Sequence, residues 1–283
     1  MLVKSYAKIN LSLKIVGNRD DGYHFLEMIN LPIDLYDTIE ISRIPASMGS
    51  YVTLDDPNLS QLQENLGTRA LNMMREAYGF KDHFNIKLHK EIPSGAGLGG
   101  GSSDAATIML VLNKILRLNA TKEKMDQIAL ALGADVPYFL NPVPAKVTGI
   151  GEQITPIKVK KKYFCLLVKP TQSLSTADVY NLSDSCQKYR IDTDKVAEGL
   201  ASGDDIMVER YSGNDLLPAA EKLAPEIGEI FATMKNDGFN LASMSGSGST
   251  LFALSTDLKK CQQEAKKFER KGYLVKVCKV LSK

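Results

Sequence analysis

Between Pro93 and Ala106 the chain sets Gly95, Gly97, Gly99, Gly100 and Gly101 among Ala96, Leu98, Ser102 and Ser103. Small residues let backbone N–H groups approach a ligand without side-chain clash. The stretch stands between an alternating segment (Phe84, Ile86, Leu88) and an apolar one (Ala105 to Leu118). That order reads as strand, glycine loop, helix, and a helix start adds unpaired donors and the positive end of a dipole. Phosphate is the chemistry such a place suits. No Gly-Lys-Ser or Gly-Lys-Thr closes the run, which separates it from a Walker A loop. Gly95-x-Gly97-x-x-Gly100 has dinucleotide spacing, but about 20 positions on, Thr121 to Asp126 reads as a helix start and not as a strand ending in an acid.

Other residues could carry chemistry around a phosphate. Asp135 follows a helix-stopping Gly133 and precedes Pro137, so it is expected on a defined, non-helical corner. A carboxylate there can take the proton of an attacking hydroxyl, or simply cap a helix. Lys8-x-Asn10-x-Ser12 puts three polar groups on one face of a strand, as the wall of a site or as a solvated edge. Lys90, at a strand end, suits a place beside a nucleotide and equally a place in solvent. Asp104 is expected in the first helical turn, compensating the dipole. Gly246-Ser247-Gly248 forms a second small-residue loop, expected between a helix and a strand. Arg19-Asp20-Asp21-Gly22 signals a turn just before Tyr23 and His24.

The elements that must position these residues follow from periodicity. Ala7, Ile9, Leu11, Leu13 and Ile15 alternate with polar residues, which predicts a half-buried strand, and Ile39 and Ile41 repeat the pattern. Helices are predicted over Asn65 to Tyr78, over Ala105 to Leu118 (buried), and after a Thr121 cap on the face Met125, Ile128, Ala129, Leu132. Tyr163 to Val168 reads as a central strand by its unbroken apolarity. A helix on Ile227, Ile230, Phe231 and Met234, a strand at Thr250 to Leu254, a helix on Leu258, Cys261, Ala265 and Phe268, and a strand at Tyr273 to Leu281 complete a two-layer α+β half. The chain is therefore divided near residue 155, into 1–155 and 156–283.

Composition bounds the rest. The 283 residues are 44% hydrophobic and 24% charged, with a formal net charge of +2. That balance suits a soluble globular protein and gives no case for nucleic acid or an anionic membrane. Lys4, Lys8 and Lys14 interrupt the N-terminal apolar positions, so no signal peptide is expected, and no apolar run approaches a membrane span. Cys165, Cys186, Cys261 and Cys278 lack metal-ligand spacing and read as reduced thiols of a cytoplasmic protein. His24, His83 and His89 are too dispersed for a metal site.

The glycine loop resembles the second signature of the galactokinase, homoserine kinase, mevalonate kinase and phosphomevalonate kinase (GHMP) superfamily. Ala7-Lys8-Ile9-Asn10-Leu11-Ser12-Leu13 and Met244-Ser245-Gly246-Ser247-Gly248-Ser249-Thr250 are similar to its other two. Asp21-Gly22-Tyr23-His24 and Gly133-Ala134-Asp135-Val136-Pro137 resemble the branch that phosphorylates 4-diphosphocytidyl-2-C-methyl-D-erythritol. The matches run from residue 7 to about residue 252; Tyr6 departs from the pattern, which has proline there.

The resemblance implies a two-domain α+β kinase with a ribosomal-protein-like first half and a ferredoxin-like second half. It implies ATP and Mg²⁺, the latter held through the phosphates with Ser102 as a possible ligand. It also implies a small-molecule acceptor, no nucleic-acid or membrane partner, and a monomer or homodimer. Asp135 is then the base, and Lys8 beside it keeps it ionised. Asn65, Lys90, Pro93 and the loop from Gly95 to Ser103 (Ala96, Gly97, Leu98, Gly99, Gly100, Gly101 and Ser102 included) bind ATP, although Asn65 as a residue type equally suits a helix N-cap. Asn10, Tyr23, His24, Thr176, Tyr180, Gly246, Ser247 and Gly248 hold the acceptor, with Tyr23 and Tyr180 stacking on cytosine and His24 bonding its edge. The reaction expected is transfer to the acceptor's 2-hydroxyl in the methylerythritol phosphate route to isoprenoid precursors. A mevalonate-type kinase, which needs no base-reading aromatic, a non-catalytic nucleotide binder, which needs neither Lys8 nor Asp135, and an RNA-binding module, disfavoured by the near-neutral charge, are the alternatives.

Overall fold

The computed structural model describes residues 1–18, 24–55 and 65–282. Strands β1, Leu2–Asn18, and β2, His24–Ile44, are longer than their alternating cores predict. After β3, Tyr51–Leu54, Asn65 caps α1, Leu66–Tyr78, by accepting from the Thr68 N–H at 2.9 Å. Strand β4, His83–His89, leads into the glycine stretch, and α2 covers Gly100–Leu116. Thr121 caps α3, Lys122–Leu132, which buries the predicted face of Met125, Ile128, Ala129 and Leu132. A short α4, Val136–Phe139, follows Asp135. Then come β5, Ala145–Gly149, β6, Gln153–Pro156, and β7, Phe164–Lys169. Helices α5, Thr176–Ser183, α6, Thr193–Ser202, α7, Asp205–Tyr211, α8, Leu217–Leu223, and α9, Pro225–Asn236, run to β8, Leu241–Met244. The chain ends through β9, Leu251–Ser255, α10, Leu258–Arg270, and β10, Leu274–Lys279.

These elements form two compact units that interleave along the sequence. The first comprises Met1–Ala7, Leu35–Ser94 and Gly99–Pro142; the second comprises Lys8–Asp34, Gly95–Leu98 and Val143–Lys283. Their segments differ from a single division near residue 155, because strand pairing recruits the early chain into the later unit. Leu26 to Asn30 of β2 pair with Gly149 to Ala145 of β5, and Leu13 and Ile33 bridge to Asn214 and Val280.

In the first unit the later part of β2 pairs antiparallel with β4 (Ile39 opposite Leu88, Ile41 opposite Ile86), and β3 runs parallel to β4. Ala70, Leu71 and Met74 of α1 and Ile108, Met109 and Leu112 of α2 are buried with Phe84, Ile86 and Leu88 of β4. Gly67 of α1 sits tightly in this packing: a Cβ there would stand 3.0 Å from the tip of the Ile108 side chain. In the second unit a four-stranded sheet has the order β10-β7-β9-β8, every pairing antiparallel, with β7 inside as its apolar run predicts. Helices α9 and α10 bury Ile227, Ile230 and Met234, and Cys261, Ala265 and Phe268. Helix α2 begins at Gly100, five residues before the predicted Ala105, since glycine and serine tolerate a first turn that packing below secures.

Candidate active site

The glycine stretch alternates two kinds of residue. Gly95, Gly97 and Gly99 have φ of 60°, 73° and 72°, where a side chain is strained, while Ala96 and Leu98 between them are buried pegs. Gly99 is the N-cap of α2 and offers no side-chain cap. The Ser103 N–H reaches the Gly99 carbonyl at 2.9 Å, so helix geometry leaves the N–H groups of Gly100, Gly101 and Ser102 as unpaired first-turn donors. These three are half-buried or exposed, the arrangement an anion at a helix start requires. Ser103, expected to reach phosphate, is 2% exposed and turned into the first unit, so Ser102 is the hydroxyl left at the end of the helix.

A buried ionic triad secures this end of the first unit. The Lys90 ammonium donates to Asp37 at 2.5 Å and to Asp104 at 2.6 Å, and Ser5 donates to the other Asp104 oxygen at 2.5 Å. Asp37 also accepts the N–H groups of Glu91 and Ile92 at 2.6 and 2.8 Å. The start of the glycine stretch is thereby tied to the second turn of α2, and Ile92 fills the space beside Gly100, where a Cβ would meet it at 2.9 Å. Burial opposes the Lys90 charge, yet Asp104 and Asp37 outweigh it and hold the ammonium above the usual lysine value. Burial pushes the Asp104 carboxyl up to about 6 against the pull of Lys90, with Asp37 adding repulsion. Two expectations change accordingly. The Lys90 ammonium is committed to carboxylates, and Asp104 is a buried ion-pair partner beyond the first turn, not a dipole-compensating surface acid. Asn65 caps α1 in this unit, as its residue type allowed.

In the second unit β1 is buried on both faces, so the Lys8, Asn10 and Ser12 face is not solvated: they are 3%, 0% and 0% exposed. Lys8 donates through its ammonium to the Asn10 side-chain oxygen at 2.6 Å, and Asn10 donates to Asn30 at 2.7 Å. The Lys8 N–H donates to the Leu98 carbonyl at 3.0 Å, which pins the glycine stretch to β1. Ser245 accepts from the Asn10 N–H at 3.2 Å and donates to the Gly97 carbonyl at 2.8 Å. Gly97 has no substitute here, because a Cβ would overlap the Ser245 carbonyl oxygen at 1.9 Å. Asn214 donates to the carbonyls of Met244 and Gly246, each at 2.8 Å, fixing the second small-residue loop. That loop joins β8 to β9, two strands, and not a helix to a strand. Ser247 and Thr176 share a hydroxyl hydrogen bond of 2.9 Å, and Gly248 is buried beside them in sequence.

The residues expected at a base gather in part. Tyr23, with Asp21 and Gly22, lies outside the described residues. His24 is at the start of β2, and its ring centroid is 4.9 Å from that of Tyr180 at a tilt of 37°. Its Nε2 is 3.2 Å from an Asp184 carboxylate oxygen. Asp135 precedes α4 in the first unit with φ −82° and ψ −17°, helical values where a non-helical corner was expected, and its side chain makes no capping hydrogen bond. Sequence reasoning missed Asp37, Asn30, Asn214 and Asp184. Asp37 alone left a signal, an acid inside the alternating run of β2; the others are polar residues whose partners are remote in sequence.

Among the described residues no group of three or more His, Cys, Asp or Glu side chains could hold a metal ion. No helix described is long and apolar enough to cross a membrane.

A glycine-lined helix start with unpaired first-turn donors suits a phosphate-handling protein. The family description GHMP kinases N terminal domain matches residues 65–141, and GHMP kinases C terminal matches 196–274. The chain is 40% identical over 276 residues to the 4-diphosphocytidyl-2-C-methyl-D-erythritol kinase of Clostridium beijerinckii, covering 94% of this chain and 96% of the relative. It is 35% identical to the protein of the same name from Clostridium botulinum, covering 96% of each. A crystal structure of 4-(cytidine 5'-diphospho)-2C-methyl-D-erythritol kinase is similar over 100% of both chains, with a TM-score of 0.84 and 30% identity. The chain belongs to the GHMP kinase family, in the branch formed by the 4-diphosphocytidyl-2-C-methyl-D-erythritol kinases. ATP is the phosphate donor of this family and a small molecule its acceptor.

Proposed function

We propose that the chain transfers the γ-phosphoryl group of ATP to the 2-hydroxyl of 4-diphosphocytidyl-2-C-methyl-D-erythritol, giving ADP and the 2-phosphate. The similarity over 94% of the chain to relatives bearing that name carries the reading. The reaction belongs to the methylerythritol phosphate route to isoprenoid precursors.

Phosphoryl transfer asks a protein mainly for positioning and for charge neutralisation. The N–H groups of Gly100, Gly101 and Ser102 bind phosphate oxygens at the start of α2, and the left-handed glycines before them keep side chains away. Asp135 accepts the proton of the 2-hydroxyl as its oxygen bonds to the γ-phosphorus and the bond to the β–γ bridging oxygen breaks. Lys8, oriented by Asn10, supplies positive charge for that chemistry. His24 and Tyr180, with Tyr23, take the cytosine, and Thr176 and Ser247 serve the acceptor. Mg²⁺ would be held through the phosphates of ATP, with the Ser102 hydroxyl as the protein oxygen in the first turn suited to it, and would neutralise their charge. The protein acts in the cytoplasm, without nucleic acid, as a monomer or homodimer.

A coupled ADP-release assay comparing the cytidine substrate with mevalonate and homoserine tests the acceptor. The cytidine substrate should be preferred by several orders of magnitude in kcat/KM, and comparable rates on mevalonate would refute the reading.

A further inference from the structure

His24 and Asp184 are 160 residues apart in sequence and meet at 3.2 Å. Helix α5 brings this about. Tyr180 and Asp184 are four positions apart at its end, so they project on one side of it. The Tyr180 ring lies against the face of the imidazole, with centroids 4.9 Å apart, while the Asp184 carboxylate reaches its Nε2. The two residues therefore do different things to one ring: the first sets its plane, and the second engages one of its nitrogens. His24 is 9% exposed in its side chain and Asp184 49%, so the imidazole is held while the carboxylate remains at the surface.

A carboxylate oxygen only accepts hydrogen bonds. The nitrogen facing it must carry the hydrogen, and a neutral imidazole then keeps its lone pair on Nδ1. The ring thus presents an acceptor on its other side. Cytosine carries an amino donor at position 4, where uracil carries an acceptor oxygen. An acceptor nitrogen complements the first and repels the second. A tenfold bias between tautomers requires no more than the net strength of one ordinary hydrogen bond, so a half-exposed partner suffices.

We propose that Asp184 is a positioning residue that fixes the His24 tautomer, and through it the preference of the enzyme for cytosine over uracil. The inference rests on the cytidine acceptor proposed above. It is specific to a residue outside the ring that touches the base.

Two measurements test it together on the full-length enzyme at about pH 8.5. Steady-state kinetics with the cytidine substrate and its uridine counterpart are compared for wild type, Asp184→Ala and Asp184→Glu. The alanine variant should lose about tenfold of the cytosine preference through a higher KM for the cytidine substrate. Its KM for ATP, kcat and thermal midpoint should stay unchanged, and the glutamate variant should recover most of the preference. Long-range ¹H–¹⁵N NMR of ¹⁵N-histidine protein, with His24 assigned from a His24→Asn spectrum, should show the wild-type proton on Nε2 and a mixture of tautomers in Asp184→Ala. A wild-type proton on Nδ1, or an unchanged base preference in Asp184→Ala, overturns the assignment. A wild type that accepts both bases equally while its proton sits on Nε2 refutes the cytidine reading itself, and the specificity claim falls with it.

Discussion

Lys90→Met is the sharpest perturbation of the scaffold beneath the glycine stretch. Methionine keeps much of the length and apolar packing of the lysine stem while deleting its charge. In the wild type the ammonium offsets one of two carboxylates, Asp37 and Asp104, which are 0% and 3% exposed in their side chains. Without it both stay buried with no cation between them. Breaking a buried ion pair from one side costs roughly 3–5 kcal/mol, which for a chain of this size lowers the thermal midpoint by about 6–20 °C. The loss should depend on pH. Burial raises the Asp104 carboxyl to about 6 in the folded protein, so this group favours folding below its unfolded value near 4. That contribution vanishes as pH rises through about 6. Removing Lys90 raises the carboxyl further, so protonation neutralises it more readily and the damage shrinks on the acid side. Thermal unfolding by circular dichroism at about pH 8 and about pH 5 should give the larger difference from wild type at the higher pH. Lys90→Met with Asp104→Asn restores the original net charge and should recover part of the midpoint. An equal loss at both pH values, or no loss at either, would refute the reasoning.

Further outcomes follow from the same geometry. Asp135→Asn should lower kcat by roughly 10²–10⁴-fold with little change in KM for ATP, as steady-state kinetics will show. Gly97→Ala should abolish turnover, because its Cβ would overlap the Ser245 carbonyl oxygen at 1.9 Å; a variant with normal activity would show that β1, the glycine stretch and Ser245 are not fixed together. Asn65→Ala should cost about 0.5–2 kcal/mol in denaturant unfolding by leaving the Thr68 N–H without its cap.

The parts of the fold legible in the sequence were those with an unambiguous period. The buried face of α3, the central position of β7 and the faces of α9 and α10 follow from apolar spacing, and the Thr121 and Asn65 caps from residue type. Strands β3, β5, β6 and β8 left little trace, because each has only four or five residues and shows too few alternations to separate from loop. Helices α6 and α7 are written largely in polar residues, and their Asp192 and Asp204 caps become meaningful only once the helices are seen. The interleaving of the units was hidden for a different reason: it depends on which strand pairs with which, and pairing is non-local. The same holds for the site. Glycines and their order announce phosphate, but the commitment of Lys90 to Asp37 and Asp104, and the contact of His24 with Asp184, are made by residues far apart in the chain.

The central claim is that phosphate moves from ATP to an alcohol of the cytidine substrate. Phosphorus NMR of the purified enzyme with ATP, Mg²⁺ and 4-diphosphocytidyl-2-C-methyl-D-erythritol observes that transfer directly. One new phosphomonoester resonance should grow in step with ADP while the diphosphate resonances of the substrate persist, and Asp135→Asn should slow its growth by the factor given above. ATP consumed without a new monoester, or a monoester formed equally well on mevalonate, would contradict the account.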